Sequence, residues 1–138
     1  MESCSCEICK SACRNDAGRL IPEDIKKISA FLNITSNELI QKYLVKIYLS
    51  KDRKIFAFAP AKKKGKNFIC EPGNSVPDFY VKQPGTCIFL NNAGLCEIHK
   101  VKPFECGAYM GCRDTFLGKP YKEKTVEEYF VSRWKKYN

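Results

Sequence analysis

Nine cysteines, most of them in two clusters, constrain this chain of 138 residues more than any other feature. Four lie between residues 4 and 13, three lie between residues 87 and 106, and Cys70 and Cys112 stand outside these clusters. An odd number of cysteines cannot all pair as disulfides within one chain, and in a reducing compartment closely spaced cysteines more often bind metals. The spacing therefore predicts metal or cluster ligation, with disulfides, redox switching and inert burial as the alternatives.

The first residues lack the basic region and the apolar region that a secretory signal would have. The sequence also contains no run of about 18 apolar residues, the length that a membrane-spanning helix needs. We therefore expect a cytoplasmic protein without membrane association, in which a reducing environment keeps the thiols available to metal ions.

The length is typical of one domain, so residues 1–138 are predicted to form a single cysteine-cluster metal-binding domain. Pro22 suits the first position of a helix. Thr35 and Glu38 form the capping-box pattern of a second helix, whose apolar stripe extends to Ile47. The sequence therefore predicts two N-terminal helices.

Residues 54–60 and 67–70 are short segments rich in aromatic and β-branched residues, so they are predicted to pair as a hairpin with Gly65 at its turn. A last helix is predicted from Thr125, with apolar side chains on one side. We thus expect an α+β fold: a small cysteine-rich domain with two N-terminal helices, short hairpins and a C-terminal helix, organised around a metal or cluster site. The apolar side of the last helix is formed by Val126, Phe130 and Trp134.

The second cysteine cluster contains its own turn and helix signals. Residues 91–94 are predicted to form a turn between two apolar runs, with Cys87 at one base of a hairpin and Cys96 at the other, where the two thiols could face one another. Pro103 favours the first turn of a helix. This places Cys106 near backbone N–H groups that stabilise a thiolate.

Thiolates are soft ligands that suit zinc and iron–sulfur clusters, and each such site usually takes four of them. Cys6, Cys9 and Cys13 are close enough in sequence for one centre to collect all three. The spacing alone strongly indicates metal binding but leaves the choice of metal open.

The full pattern resembles the YkgJ-type cysteine-cluster family of zinc- or iron-chelating domains. The resemblance is carried by Cys6-x2-Cys9-x3-Cys13, by Cys87-x8-Cys96-x9-Cys106, by the Leu20-Ile-Pro-Glu-Asp24 helix start and by Lys102-Pro103, and it covers about residues 4 to 112. It implies metal chelation by an iron–sulfur cluster or zinc. Similar domains also occur within flagellin lysine N-methylases.

The sequence departs from that family pattern at positions that affect the ligands. Ala12 stands where the family usually has another cysteine, so Cys4, Cys70 or Cys112 would have to supply a replacement. Cys112 is favoured, because glycines at 107 and 111 would let the chain turn back toward the cluster. His99 stands where the family usually has tyrosine, and a structural role is expected for it, with metal ligation as the alternative.

The basic residues are concentrated in one segment. Residues 42–66 hold nine lysines or arginines against one acid, Asp52, a balance of +8, whereas the whole chain carries +9. A lysine-rich loop flanked by aromatic strands would suit phosphates and bases, although a solvated hairpin tip is the simpler interpretation. The candidate nucleic-acid contacts are Lys62, Lys63, Lys64 and Lys66.

The leading hypothesis is a metal-binding protein that serves a protein partner as a redox or accessory subunit. An iron–sulfur cluster is favoured over zinc, because nine thiols exceed one tetrahedral site. The alternatives are an enzyme or enzyme subunit that modifies a protein substrate, and a zinc-stabilised nucleic-acid-binding module. The predicted metal ligands are Cys6, Cys9, Cys13, Cys87, Cys96, Cys106 and Cys112.

Overall fold

The computed structural model describes residues 18–77, 80, 83–91, 93–108, 115–116, 119–120 and 122–137. The helices in this part of the chain are α1 (Pro22–Leu32), α2 (Ser36–Tyr43), α3 (Phe104–Ala108) and α4 (Glu123–Lys135), with a short 3-10 helix at His99–Val101. The strands are β1 (Leu44–Tyr48), β2 (Phe56–Pro60), β3 (Lys62–Lys64), β4 (Asn67–Phe68), β5 (Thr86–Cys87), β6 (Thr115–Phe116) and β7 (Lys119–Pro120). This mixture of helices and short antiparallel sheets confirms the predicted α+β class.

The two N-terminal helices begin where their local signals predict. Pro22 occupies the first position of α1, where its missing N–H costs nothing. At α2 the backbone N–H of Glu38 donates to the Thr35 hydroxyl, 3.1 Å away, and the Glu38 carboxylate accepts from the Thr35 backbone N–H. Both starts follow from contacts within a few residues, so the sequence is enough to predict them.

The predicted length of the second helix is wrong, because α2 ends at Tyr43 and residues 44–48 form β1. Leu44 and Ile47 have helical spacing, but both Leu44 and its neighbour Val45 are buried, as alternate faces of a covered strand require. β1 pairs antiparallel with β2 over its whole length. The two strands form a hairpin joined by residues 49–55, and this strand pairing overrides the local helical pattern.

The predicted hairpin between residues 54–60 and 67–70 is also wrong in its pairing. β2 pairs with β1, and a shorter hairpin of β3 and β4 turns at Gly65, whose φ of +68° is easily adopted by glycine. On its other edge β3 pairs with β5, which brings Cys87 opposite Lys62. The middle of the chain therefore forms two small sheets that together position the first cysteine of the second cluster.

The main core forms where α4 packs against β2 and against the N-terminal end of the described residues. Val126, Phe130 and Trp134 are buried, which confirms the predicted apolar side of the last helix. The Trp134 indole N–H donates to the Leu20 carbonyl at 2.8 Å, and its ring lies 5.6 Å from that of Phe58. The helix begins at Glu123, two residues before the predicted start. In the described part of the chain, no helix is both long and apolar enough to cross a membrane.

Asp24 joins the starts of two helices that are far apart in sequence. One of its carboxylate oxygens, Oδ2, accepts the backbone N–H of Ile21 at 3.0 Å, before α1, and that of Phe104 at 2.8 Å, at the start of α3. Burial raises the pKa of Asp24, in opposition to these two hydrogen bonds, which lower it. The side chain thus fixes α3, the helix that carries Cys106, against α1.

We predict that Asp24→Ala lowers the free energy of unfolding by about 2–4 kcal/mol, because two backbone donors lose their shared acceptor. Asp24→Asn retains an oxygen at that point, and it should cost about half as much, since burial already disfavours the charge. Urea unfolding of both variants measures the difference. Equal losses in the two variants would show that the shared acceptor is not what stabilises this junction.

Candidate metal centre

The structure describes three of the seven predicted ligands. Cys87 is buried, and Cys96 and Cys106 are half-buried. The other predicted ligands lie outside the described residues, as does Cys4; they are Cys6, Cys9, Cys13 and Cys112. The structure therefore describes the three cysteines of the second cluster directly. Near the first cluster it describes only the chain that follows, from Gly18 onward.

Cys106 lies in the first turn of α3, as the position of Pro103 predicts. Its backbone N–H donates to the Pro103 carbonyl at 3.0 Å, which makes this turn tight. The preceding residue, Glu105, donates its N–H to the Arg19 carbonyl at 3.2 Å. The cysteine therefore has the N-terminal segment of the described chain directly beside it.

Gly18 lies against the sulfur of Cys106. A β-carbon placed on Gly18 would be 2.3 Å from the Cys106 Sγ and 3.0 Å from its backbone nitrogen, far inside van der Waals contact. Only glycine allows the backbone to pass this close. Cys13 precedes Gly18 by five residues, and five extended residues span at most about 18 Å. A short stretch of chain therefore connects the first cysteine cluster to the residue that lies against Cys106, a predicted ligand in the second cluster.

Arg19 holds this crossing in place through a buried ion-pair network. Its guanidinium donates from Nε and Nη2 to the two carboxylate oxygens of Glu105, at 3.1 and 2.7 Å, and from Nη1 to Glu127 at 2.6 Å. The guanidinium also lies 4.4 Å from the ring centre of Phe130. Burial disfavours the charge, but the hydrogen bonds and charges of Glu105 and Glu127 outweigh it and raise the pKa of Arg19. This network joins the N-terminal segment to α3 and α4.

Cys87 and Cys96 lie at the two ends of a compact segment within the main core. Cys87 belongs to that core, and Cys96 packs against it. The predicted turn is confirmed, because the Asn91 side-chain oxygen accepts the N–H groups of Ala93 and Leu95, both at 3.0 Å. The antiparallel bridge, however, pairs Cys96 with Leu90. Cys87 and Cys96 are therefore not direct cross-strand partners, since β5 pairs Cys87 with Lys62. That their two thiols face one another stays a prediction.

His99 is the first residue of the short 3-10 helix that follows Cys96. This helix packs against α1. Its backbone position is thus on the path between Cys96 and Cys106.

The described residues on their own do not make a complete site. Within these residues, no three or more Cys, His, Asp or Glu side chains are placed to hold a metal ion. Cys87, Cys96 and Cys106 are therefore not grouped as one metal site within the described residues, and the other predicted ligands lie outside them. The available donors are thiols, which fit zinc or an iron–sulfur cluster and would not select calcium or magnesium.

Two features of this region carry no signal that sequence reasoning could use. Arg19 is one of 24 basic residues, and its partner Glu105 is 86 positions away. Gly18 lies just before α1, and no neighbouring residue in the sequence predicts its contact with the sulfur of Cys106. Both are products of the tertiary fold.

The structure buries one of the four lysines that the sequence analysis assigns to a nucleic-acid surface. Lys62 is only 2% exposed, and its ammonium donates to the carbonyls of Tyr80 and Gln83, both at 3.1 Å. Lys64 and Lys66 are exposed, and Lys63 is half-buried. Lys62 is therefore a buried structural residue, and its ammonium is not available for contacts with a nucleic acid.

Comparison with known proteins agrees with the thiol-rich architecture. Neither the curated proteins nor the solved structures include a match to this chain. A family model named CxxCxxCC and described as "Putative zinc- or iron-chelating domain" matches residues 5–128. This match spans both cysteine clusters and the helices and strands between them. The chain therefore belongs to the CxxCxxCC family of zinc- or iron-chelating domains.

Proposed function

We propose that this chain binds an iron–sulfur cluster through cysteines of both clusters and serves a protein partner as a redox or accessory subunit. The proposed ligands come from Cys6, Cys9 and Cys13 on one side and Cys87, Cys96 and Cys106 on the other, with Cys112 as the added ligand. The observation that carries the proposal is the contact of Gly18 with the Cys106 sulfur. It leaves Cys13 only five residues from a cysteine of the second cluster.

Hydrogen bonds from the neighbouring chain fix the first turn of α3. The Phe104 N–H donates to Asp24, and the Glu105 N–H donates to the Arg19 carbonyl. The N–H of Cys106 donates to the Pro103 carbonyl within the turn. These contacts support the proposal because they hold the backbone of Cys106 in a defined position next to Gly18.

Cys70 is supported as a cysteine without a role in the centre. It packs against a second, smaller core cluster that includes Val45 of β1 and Ala59 of β2, whereas Cys87 and Cys96 belong to or pack against the main core. Cys70 therefore serves as an internal control for thiol substitution.

The thiol ligands and the family description together support the choice of an iron–sulfur cluster. The description includes iron, and thiolates are the ligands that hold iron–sulfur clusters. The thiol count does not separate the two metals, because one zinc ion and one cluster each take four thiolates. When bound, such a cluster supplies one-electron redox chemistry. The chain itself supplies the ligands, and the partner protein would supply the electron donor or acceptor.

Metal identity is tested by anaerobic purification followed by quantitation of iron, inorganic sulfide and zinc. We expect iron and sulfide in equal amounts, and a brown protein with broad visible absorption. A colourless protein that contains stoichiometric zinc and no sulfide would contradict the cluster and leave the zinc form of chelation.

We predict that Cys9→Ser and Cys96→Ser each remove most of the bound metal, because both sides of the site supply ligands. Cys70→Ser should retain the metal content of the unaltered protein. Metal per protein, measured after anaerobic reconstitution, compares the three variants. Full metal content in either Cys9→Ser or Cys96→Ser would refute a site shared between the two clusters.

The added ligand is tested in the same assay with Cys112→Ser and Cys4→Ser. We expect metal loss with the first variant and little change with the second, since the one-residue spacing of Cys4 and Cys6 strains joint ligation of one metal ion. The reverse result would assign the added ligand to Cys4.

We predict that Gly18→Ala lowers metal affinity, because the new methyl group must displace the Cys106 sulfur or the chain that passes it. Gly65→Ala is the matched control: its positive φ costs about 1–2 kcal/mol of stability, but nothing lies within 4 Å of the added carbon. Competition with a chelator measures affinity, and urea unfolding measures stability. If both variants lost metal in proportion to stability, the Gly18 contact would have no specific effect on the site.

A further inference from the structure

The turn between β1 and β2, with the residues that flank it, forms an ordered basic surface. We call residues 46–56 the β1–β2 tip. Its loop is held by the Ser50 hydroxyl, which donates to Asp52 Oδ1 at 2.6 Å and accepts the backbone N–H of Ile55 at 3.1 Å. Strand pairing resumes where the Leu49 N–H donates to the Ile55 carbonyl at 2.8 Å. These bonds give the tip a defined shape.

The carboxylate of the one acidic residue in this tip, Asp52, is hydrogen-bonded within the loop. Asp52 Oδ1 accepts from the Ser50 hydroxyl and from the Lys54 backbone N–H, at 2.6 and 3.0 Å. Hydrogen bonding from Ser50, followed by that from the Lys54 N–H, lowers the pKa of Asp52. Residues 46–56 hold four basic residues against this one acid, and three of the four lie in the exposed loop. The basic residues are Lys46, Lys51, Arg53 and Lys54.

The tip also presents aromatic rings with cations over them. Tyr48 and Phe56 are direct cross-strand partners. The Arg53 guanidinium lies 5.3 Å from the ring centre of Tyr48, and the Lys46 ammonium lies 4.3 Å from that of Phe56. The Tyr48 hydroxyl lies 3.1 Å from the Ser75 hydroxyl, which fixes the ring. Nucleobases stack on aromatic rings and on guanidinium planes in complexes with single strands.

Arg53 is held in a backbone conformation that favours glycine or asparagine. Its φ is +61°, in the left-handed region. The loop keeps it there because its N–H donates to the Ser50 carbonyl at 3.1 Å. A strained arginine at the exposed end of the tip fits a recognition role better than a turn role, since glycine would make the same turn without strain.

A small cleft adjoins these groups. It has a volume of about 250 Å³ and lies between residues 47–51 of the β1 end and Val76–Pro77. Pockets that enclose whole small molecules measure roughly 300–1,000 Å³, so this cleft suits one planar group at most. Tyr48 and Lys51 line it, which places a ring and a cation at its edge.

We propose that the β1–β2 tip is a binding site for single-stranded nucleic acid, in which Lys51, Arg53 and Lys54 contact phosphates and Tyr48 with Arg53 stacks a base. A membrane surface is disfavoured, because the exposed large apolar residues of the described chain are Phe31, Leu95 and Tyr137, all outside the tip. The tip contains none of the predicted metal ligands. It also differs from the β3–β4 hairpin, where Lys62 is buried.

The test is fluorescence anisotropy of the full metal-loaded chain with fluorescein-labelled oligouridylate and oligodeoxythymidylate at several salt concentrations. Combined Lys51→Glu, Arg53→Glu and Lys54→Glu should weaken binding by at least about tenfold and reduce the salt slope by about 2, since each single-strand phosphate contact contributes roughly 0.7. The matched control combines Lys63→Glu, Lys64→Glu and Lys66→Glu, which change the net charge equally. It should weaken binding by less than about threefold.

The Arg53→Lys variant separates stacking from charge, because it keeps the positive charge and removes the planar guanidinium group on which a base would stack. We expect several-fold weaker binding with an unchanged salt slope. Equal weakening by the two charge-reversed variants would overturn the proposal in favour of unspecific attraction. Three further results would overturn the proposal. They are no binding of the unaltered protein to either oligonucleotide, tighter binding when the oligonucleotide is annealed to its complementary strand, and binding to phosphatidylserine vesicles in place of oligonucleotides.

Discussion

The two carboxylate oxygens of Glu105 receive a paired hydrogen bond from the Arg19 guanidinium, and this pair holds the N-terminal end of the described chain against α3. The side chains of Arg19 and Glu105 are 10% and 19% exposed, so both charges have lost most of their water. Removing one partner of a buried pair costs about 3–5 kcal/mol, because the other charge is left without compensation. The pair therefore makes one placement of the N-terminal segment far more favourable than any other.

Asp24 and Trp134 both bind the chain at the start of α1. Asp24 binds the starts of α1 and α3 through one oxygen, and Trp134 binds the Leu20 carbonyl from α4. Two of these three contacts, at Leu20 and Ile21, use backbone groups that follow the segment from Cys13 by a few residues. A metal site assembled from distant cysteines needs such a frame, because ordering its chain would otherwise offset much of the binding free energy.

The parts of the fold that the sequence predicts are those decided locally. The capping box of Thr35 and Glu38, Pro22 at the start of α1 and the turn after Leu90 depend on neighbours within a few residues. β1 is not predicted because its apolar spacing also fits a helix, and only the pairing with β2 shows that it is a strand. The sequence predicts Lys62 at the surface because lysine is rarely buried, whereas the structure buries it and its ammonium donates to the carbonyls of Tyr80 and Gln83. For the site, the sequence predicts the ligand type, but the closeness of Gly18 to Cys106 arises from tertiary packing.

The contacts of Arg19 and Leu20 with Glu127 and Trp134 have a consequence for the order of synthesis. The two ends of these contacts are 108 and 114 positions apart, so during translation the N-terminal cysteines leave the ribosome long before α4 exists. Contacts of such sequence separation form late and slowly. The nascent chain therefore carries its first cysteine motif before α4 is available to bind Arg19 and Leu20.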